Sequence, residues 1–254
     1  MSFLSLGDWG ATAVSDELAV NQAAVANAMT VWAEQNDARF VLNTGDNFYW
    51  CGIQNTSDFQ VSADFVDVYN SHALQSITWF GTLGNHEYGY NVTAELLLQQ
   101  EREDMQNWYL PERYYHKRVP LTSDEDDSSP HMSLIVLDTS PCVSEYRMDD
   151  PSGWDPCSDY YPTCSPGSSD DDFEGKCQFH PNIMSQNCTE QYLWFQETLA
   201  SVDESDWLVV MGHHPVDELD VEPFYDALKA HGNDLYINGH VHALQQYEMD
   251  GNER

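Results

Sequence analysis

Positive charge is what this 254-residue sequence has least of: 9 Lys and Arg stand against 43 Asp and Glu, a formal net charge of −34. So acidic a chain has no basic face with which to neutralise phosphate backbones. That argues against nucleic acid as a partner and disfavours docking to anionic membranes. No apolar run approaches the ~20 residues of a membrane-spanning helix, so membrane insertion is not expected. No two cysteines are spaced CxxC, which leaves no zinc-ribbon or thioredoxin pattern. Disorder is also disfavoured, because 41% of residues are hydrophobic and 13% aromatic, enough to bury a sizeable core. The first residues, MSFLSLGDWG, are too short and uncharged for a signal peptide and read as a first strand.

The cysteines that are present form an even set, Cys51, Cys142, Cys157, Cys164, Cys177 and Cys188. Five of them crowd into 142–188, where Pro, Ser, Asp and Gly also dominate and Asp170, Asp171 and Asp172 form an acidic run. Residues 140–188 are therefore expected to be a disulfide-stapled insertion without a core of its own, within a single domain spanning 1–254. Asn55, Asn91 and Asn187 each begin an N-x-[ST] sequon. Cysteines and sequons together favour an oxidising, secretory or vacuolar compartment and possible glycosylation. Six cysteines allow about 15 pairings, and the sequence does not choose among them.

Apolar periodicity predicts strands at 3–6, 40–43, 77–83, 114–119, 131–137, 207–211, 234–238 and 243–249. It predicts helices at 15–34, capped by Ser15 or Asp16, then within 59–69, at 93–108, 189–199 and 222–230. The first helix carries Leu18, Val20, Ala24, Val25, Ala28, Met29 and Trp32 near helical spacing. Alternating strands and helices imply βαβ units and a largely parallel sheet. A hairpin signal at Asp250-Gly251-Asn252 leaves the last strand without its partner, so further C-terminal strands are expected beyond the sequence.

Five times an apolar run ends in Gly followed by Asp, Asn or His: FLSLGD, FVLNTGD, WFGTLGN, LVVMGH and LYINGH. In open α/β sheets ligands collect beyond the carboxyl ends of the strands. Glycine there would allow the sharp turn that aims the next side chain into that crevice. The expected cluster is Asp8, Asp46, Asn85, His213 and His240, with His242 close by. So many carboxylate, amide and imidazole groups exceed one tetrahedral zinc site and fit two metal ions.

GDWG, GDNFY, GNHE, VMGH and GHVH resemble, in order, the five motifs of the purple acid phosphatases, and VLDT at 136–139 is similar too. The likeness is greatest to the small, tartrate-resistant type. General metallophosphoesterases have a histidine two residues after the first aspartate. Here that place is Gly10, and Tyr49 stands three residues after Asp46, as it does in the purple enzymes. The resemblance implies the calcineurin-like metallophosphoesterase fold, an α/β sandwich of two mixed sheets flanked by helices. It implies that Asp8, Tyr49 and His242 hold Fe(III). Asn85, His213 and His240 would hold a divalent Fe, Zn or Mn, with Asp46 bridging. It further implies hydrolysis of phosphate monoesters, on small molecules or phosphoproteins, by a metal-activated hydroxide, with His86 binding phosphate and protonating the leaving group. Donor chemistry agrees, since hard Fe(III) suits carboxylate and phenolate while amide and imidazole suit a divalent ion.

One departure concerns the acid. Small family members carry a further histidine after the GHxP motif, and 214–224, HPVDELDVEPF, has none beyond His214 itself. His86 or His214 would then take more of the proton transfer, although His214 also suits a place behind the ligands or facing solvent. Two alternatives stay open: a di-Mn or di-Zn phosphodiesterase of the same superfamily, and a non-catalytic, secreted, acidic metal-binding protein. The charge makes a prediction of its own. A strongly negative envelope repels anionic substrates until salt screens it beyond ~8–10 Å, so KM for a phosphate ester should fall as ionic strength rises to ~0.15 M. Initial rates across a salt series check this; a flat KM would put the acidic residues far from the site.

Overall fold

A computed structural model describes residues 2–10, 15–122, 129–148, 153–160, 164 and 177–248. Its strands form two four-stranded sheets. The first runs β1 (Ser2–Leu6), β2 (Ala38–Asn43), β3 (Thr78–Gly81) and β4 (Trp108–Tyr109), parallel throughout. The second runs β5 (Tyr115–Pro120), β6 (His131–Val136), β7 (Trp207–Met211) and β8 (Leu235–Ile237), with only the β5–β6 pair antiparallel. The helices are α1 (Asp16–Asn36), α2 (His72–Gln75), α3 (Val92–Glu101), α4 (Pro156–Asp159), α5 (Phe179–Met184), α6 (Cys188–Ser201) and α7 (Phe224–His231). This is the expected α/β sandwich of two sheets flanked by helices. Strands covered on both faces read as continuous apolar runs, and every residue of β6 is buried.

Register gathers the turns. Leu6, Asn43 and Gly81 pair across the first sheet, and Val136, Met211 and Ile237 across the second. The carboxyl ends of the two sheets therefore open on one edge, where hydrogen bonds join them. Thr82 Oγ1 donates to the Leu137 carbonyl at 2.7 Å, and His213 Nδ1–H to the Thr44 carbonyl at 2.7 Å.

Some expectations are corrected. Ser15 caps α1 as expected, accepting from the Leu18 N–H, but the helix turns Gln22, Ala26, Met29 and Ala33 inward and leaves Leu18, Val20, Val25 and Trp32 exposed. Small alanines allow close packing, and Gln22 donates to the Asp64 carbonyl at 2.8 Å, so a polar residue takes the inner face. The helix expected over 93–108 stops at Glu101. Arg102 is extended there, and its guanidinium is held by the Thr56 carbonyl, Ser62 and Asp104. The segment 59–69 contains a π-helical turn, Val61–Val66. Residues 243–248 pair with no described strand and are exposed; Met249 and the 250–252 hairpin signal lie outside the described residues.

In the insertion, the cysteines pair as Cys142–Cys188, Cys157–Cys177 and Cys51–Cys164. Its Tyr146, Phe179 and Ile183 are buried in the same apolar cluster as the sheets. The acidic run at Asp170–Asp172 lies outside the described residues. Asn55, Asn91 and Asn187 are all exposed, and Asn187 caps α6 by accepting from the Glu190 N–H.

Gln191, buried on α6, accepts from the Asp138 N–H and donates to the Asp138 carbonyl, both at 2.8 Å. It thus supplies both backbone partners of the residue that follows β6. Gln191→Ala would strand two buried polar groups and should cost about 2–4 kcal/mol, measurable by urea denaturation; a change under ~0.5 kcal/mol would show that water replaces it.

Candidate metal centre

Four of the expected ligands sit in backbone that side chains rarely adopt. Asp8, Asp46, His240 and His242 have φ of 57°, 51°, 71° and 52°; among the described residues only Asp37, which ends α1, is another non-glycine with positive φ. Left-handed backbone costs a non-glycine residue of order 1 kcal/mol or more, and it concentrates where side chains must be aimed. The turn is thus made by the ligand candidates themselves more than by the glycines before them. Those glycines serve close approach. A Cβ on Gly84 would overlap the Asp46 carboxylate outright, and one on Gly239 would lie 2.5 Å from Asp8 Oδ2.

All seven expected ligands converge. Tyr49 Oη lies 3.4 Å from Asp8 Oδ1, 3.2 Å from Asp46 Oδ2 and 3.1 Å from His242 Nε2, and His242 Nε2 lies 3.2 Å from Asp8 Oδ1. On the other side of Asp46, His213 Nε2 stands 3.2 Å from Asp46 Oδ2 and 3.0 Å from Asn85 Oδ1. The His240 ring lies 5.2 Å from that of His213, and the backbone N–H of His240 donates to the Asp8 carboxylate. Asp46, 1% exposed, belongs to both halves. Because His213 Nδ1–H is committed to the Thr44 carbonyl, Nε2 is the nitrogen turned to the crevice, and it would offer a lone pair to a cation that displaced its proton. The meeting atoms are thus mostly lone-pair acceptors, a donor set that fits cations.

Electrostatics agree. Burial, then the Asp46 and Asp8 carboxylates, push the Tyr49 phenol far above its ordinary range, so only a strongly charged cation would bring out tyrosinate. Burial works against charge on both His213 and Asp46, yet each stabilises the other: His213 is pushed up to about 9 and Asp46 far below the usual carboxylate range. Burial and His213 push His240 down to about 4, whereas a hydrogen bond to Asp8 raises His242.

Glu87 is the residue that sequence reasoning undervalued. Its buried carboxylate accepts four backbone N–H groups, from Gly84 (2.6 Å), Asp46 (3.0 Å), Asn47 (2.8 Å) and Phe48 (3.2 Å). It clamps the GDNF turn to the GNHE turn. His86 Nδ1–H donates to the Trp50 carbonyl at 2.6 Å, which leaves Nε2 3.9 Å from Asp46 Oδ2.

His214 does not face solvent. It is fully buried, with Nδ1 2.8 Å from Thr139 Oγ1 and Nε2 3.1 Å from the Tyr146 hydroxyl. Thr139 Oγ1 already accepts the His213 and His214 N–H groups, so its own hydrogen is free for Nδ1. Both ring nitrogens are thereby engaged, which places His214 behind His240 (rings 4.3 Å apart) rather than at the mouth. In the loop that lacks the further histidine, Glu218 stands 3.8 Å from His240 Nε2. Thr139 was visible in VLDT, but nothing in the sequence singled out Glu218 or Tyr146.

Comparison with known proteins decides the family. A family model described as calcineurin-like phosphoesterase matches residues 1–244. The chain belongs to the calcineurin-like phosphoesterase family. Within it, the chain is similar to tartrate-resistant acid phosphatase type 5 of Sus scrofa, 26% identical over 260 residues that cover 99% of this chain and 66% of that protein. It is similar also to purple acid phosphatase 7 of Arabidopsis thaliana, 29% identical over 99% of this chain and 67% of that protein. The chain thus spans about two thirds of the length of these relatives. The fold is shared with a structure described as "GAP50 the anchor in the inner membrane complex of Plasmodium", at a TM-score of 0.64 and 19% identity over 94% of this chain and 65% of that one.

Burial raises Glu87 to about 7 and Asp138 to about 6, and His213 is raised to about 9. Each contributes stability that is full below its unfolded pKa and is lost as pH rises through its folded value. Asp46 contributes the opposite way, but its loss lies far below this range. His240, His214 and His86, held neutral by burial, also contribute the opposite way, but only below the ordinary histidine range. The metal-free protein should therefore lose thermal stability as pH rises from about 7 to about 9, as a Tm series would read. Glu87→Gln leaves one acceptor for four N–H groups and should cost about 2–4 kcal/mol, with reduced metal content by elemental analysis. Wild-type stability and metal content in that variant would remove Glu87 from this role.

Proposed function

We propose that this domain hydrolyses phosphate monoesters at a dinuclear centre of Fe(III) and a divalent Fe, Zn or Mn. The observation that carries the reading is the convergence of six donor side chains from five separate turns on the two sides of a seventh, the buried carboxylate of Asp46. Asp8, Tyr49 and His242 would hold the ferric ion, Asn85, His213 and His240 the divalent one, and Asp46 would bridge. When bound, the pair would supply Lewis-acid charge to phosphoryl oxygens and acidify water.

The chain's own residues do the rest. Asp8, Asp46 and an ionised Tyr49 bring three negative charges against about five positive ones, so the centre keeps the positive potential that attracts a phosphate dianion inside an otherwise acidic protein. His86, with Nδ1–H fixed on the Trp50 carbonyl, directs Nε2 towards the Asp46 carboxylate. There, as the imidazolium that burial opposes and Asp46 favours, it would hold a phosphate oxygen and deliver its Nε2 proton to the leaving alkoxide. His214 has no free ring nitrogen for that step and supports Thr139 and His240 instead. Three disulfides and three exposed sequon asparagines support a secreted or vacuolar setting. The fold alone does not prescribe catalysis, so the donor set bears the weight.

Elemental analysis with a visible spectrum tests the centre. The oxidised protein should hold about two metal ions, one of them iron, with a tyrosinate-to-iron band that disappears in Tyr49→Phe. Asp46→Asn and His240→Ala should lower kcat by about 10²-fold or more with folding preserved. Iron-free, colourless protein with full turnover on diesters would favour a di-Mn or di-Zn phosphodiesterase; a metal-loaded but inactive wild type would favour a binding protein.

A further inference from the structure

His86 stands on a short 3-10 turn, His86–Gly89, beyond the end of β3. On one side this turn is fastened to the body of the domain. Glu87 accepts N–H groups from the facing turn, and the Tyr88 hydroxyl donates to Asp138 while accepting from Arg113 at 2.7 Å. On the other side stand three successive carbonyls, those of Tyr88, Gly89 and Tyr90, and their hydrogen bonds come from the insertion. Asn182 Nδ2 donates to the Tyr88 and Tyr90 carbonyls, both at 2.8 Å. Between them, the Gln178 N–H donates to the Gly89 carbonyl at 2.8 Å. Two carbonyl acceptors identify the donating atom of Asn182 as its amide nitrogen and occupy both of its hydrogens.

The donor is itself held in place. Asn182 lies on α5 beside Ile183 and three residues after Phe179, and both apolar side chains are buried in the core. Its backbone N–H donates to the Gln178 carbonyl at 2.9 Å, and Cys177, just before Gln178, is bonded to Cys157. The His86 ring has little freedom of its own. Its Nδ1–H is fixed on the Trp50 carbonyl, and the rings of Tyr49 and Trp154 lie 4.4 Å and 5.1 Å away. The place of Nε2 therefore follows the backbone of the turn, and the first carbonyl held by Asn182 is two residues from His86.

We propose that Asn182 is a positioning residue that holds the His86 turn in register for proton delivery. This rests on the reading of His86 as proton donor given above and names the residue that sets its place. As the bond from phosphorus to the leaving oxygen breaks, that oxygen keeps the electron pair and takes the Nε2 proton. A small displacement of Nε2 weakens that transfer without removing any group that touches the ester.

The test reads kcat and KM of the metal-loaded protein on glycerol 2-phosphate and 4-nitrophenyl phosphate. The first ester leaves as a basic alkoxide that needs a proton, the second as a stable phenolate that does not. Asn182→Asp, which keeps the shape and removes both donors, should lower kcat on glycerol 2-phosphate about tenfold. On 4-nitrophenyl phosphate its kcat should fall by less than about twofold. Asn182→Ala should show the same split, and it gives the reading if circular dichroism shows that the Asp variant has not folded. In a His86→Asn background, where the proton donor is already gone, Asn182→Ala should change neither rate by more than about twofold. Equal losses on the two esters, or a loss that persists without His86, overturn the positioning role and leave the phosphatase reading intact. A wild type that hydrolyses neither ester, or a His86→Asn variant with full kcat on glycerol 2-phosphate, overturns the reading of His86 and the proposal with it.

Discussion

The centre depends on one buried carboxylate that touches no expected ligand side chain. Glu87 accepts four backbone N–H groups from two turns belonging to different strands, one carrying Asp46 and Tyr49, the other Asn85 and His86. Such N–H groups, pointing inward at the ends of parallel strands, have no ladder partner and would be costly to bury alone. Their shared acceptor fixes how far apart the two halves of the site stand. It also explains why GNHE must end in glutamate: an amide has one acceptor oxygen where four donors point.

Around that clamp the electrostatics are built on conflict. Asp46, Glu87 and the buried Glu95 lie within electrostatic reach of one another, and burial raises Glu87 and Glu95 while His213 holds Asp46 ionised. Concentrated negative charge of this kind destabilises the metal-free fold and stabilises a cation, which is the same balance seen from two sides. The left-handed backbone at Asp8, Asp46, His240 and His242 belongs to the same balance. Its local cost is tolerated because the surrounding sheets over-determine the turns and because the turns bring donors within reach of each other.

The insertion joins the centre rather than merely covering it. Tyr146 holds His214, Trp154 and Tyr160 border His86, and Cys164 is bonded to the strand end that carries Tyr49. A segment whose composition reads as loop thus contributes aromatic packing to the site, because the disulfides restrain the chain entropy that otherwise opposes ordering it.

The order of strands and helices, the five turns and the identity of the ligand candidates were legible in the sequence by itself, because each depends on short-range spacing: an apolar run, a glycine and the residue after it. The inward face of α1 was not, since Gln22 is inside only because the Asp64 carbonyl meets it there. Nor were the cysteine pairing, the buried place of His214 or the four bonds of Glu87. Those are contacts between residues far apart in the chain, such as Tyr146 with His214. Only the register that levels the carboxyl ends of both sheets at one edge brings them together, and so only the tertiary structure could decide them.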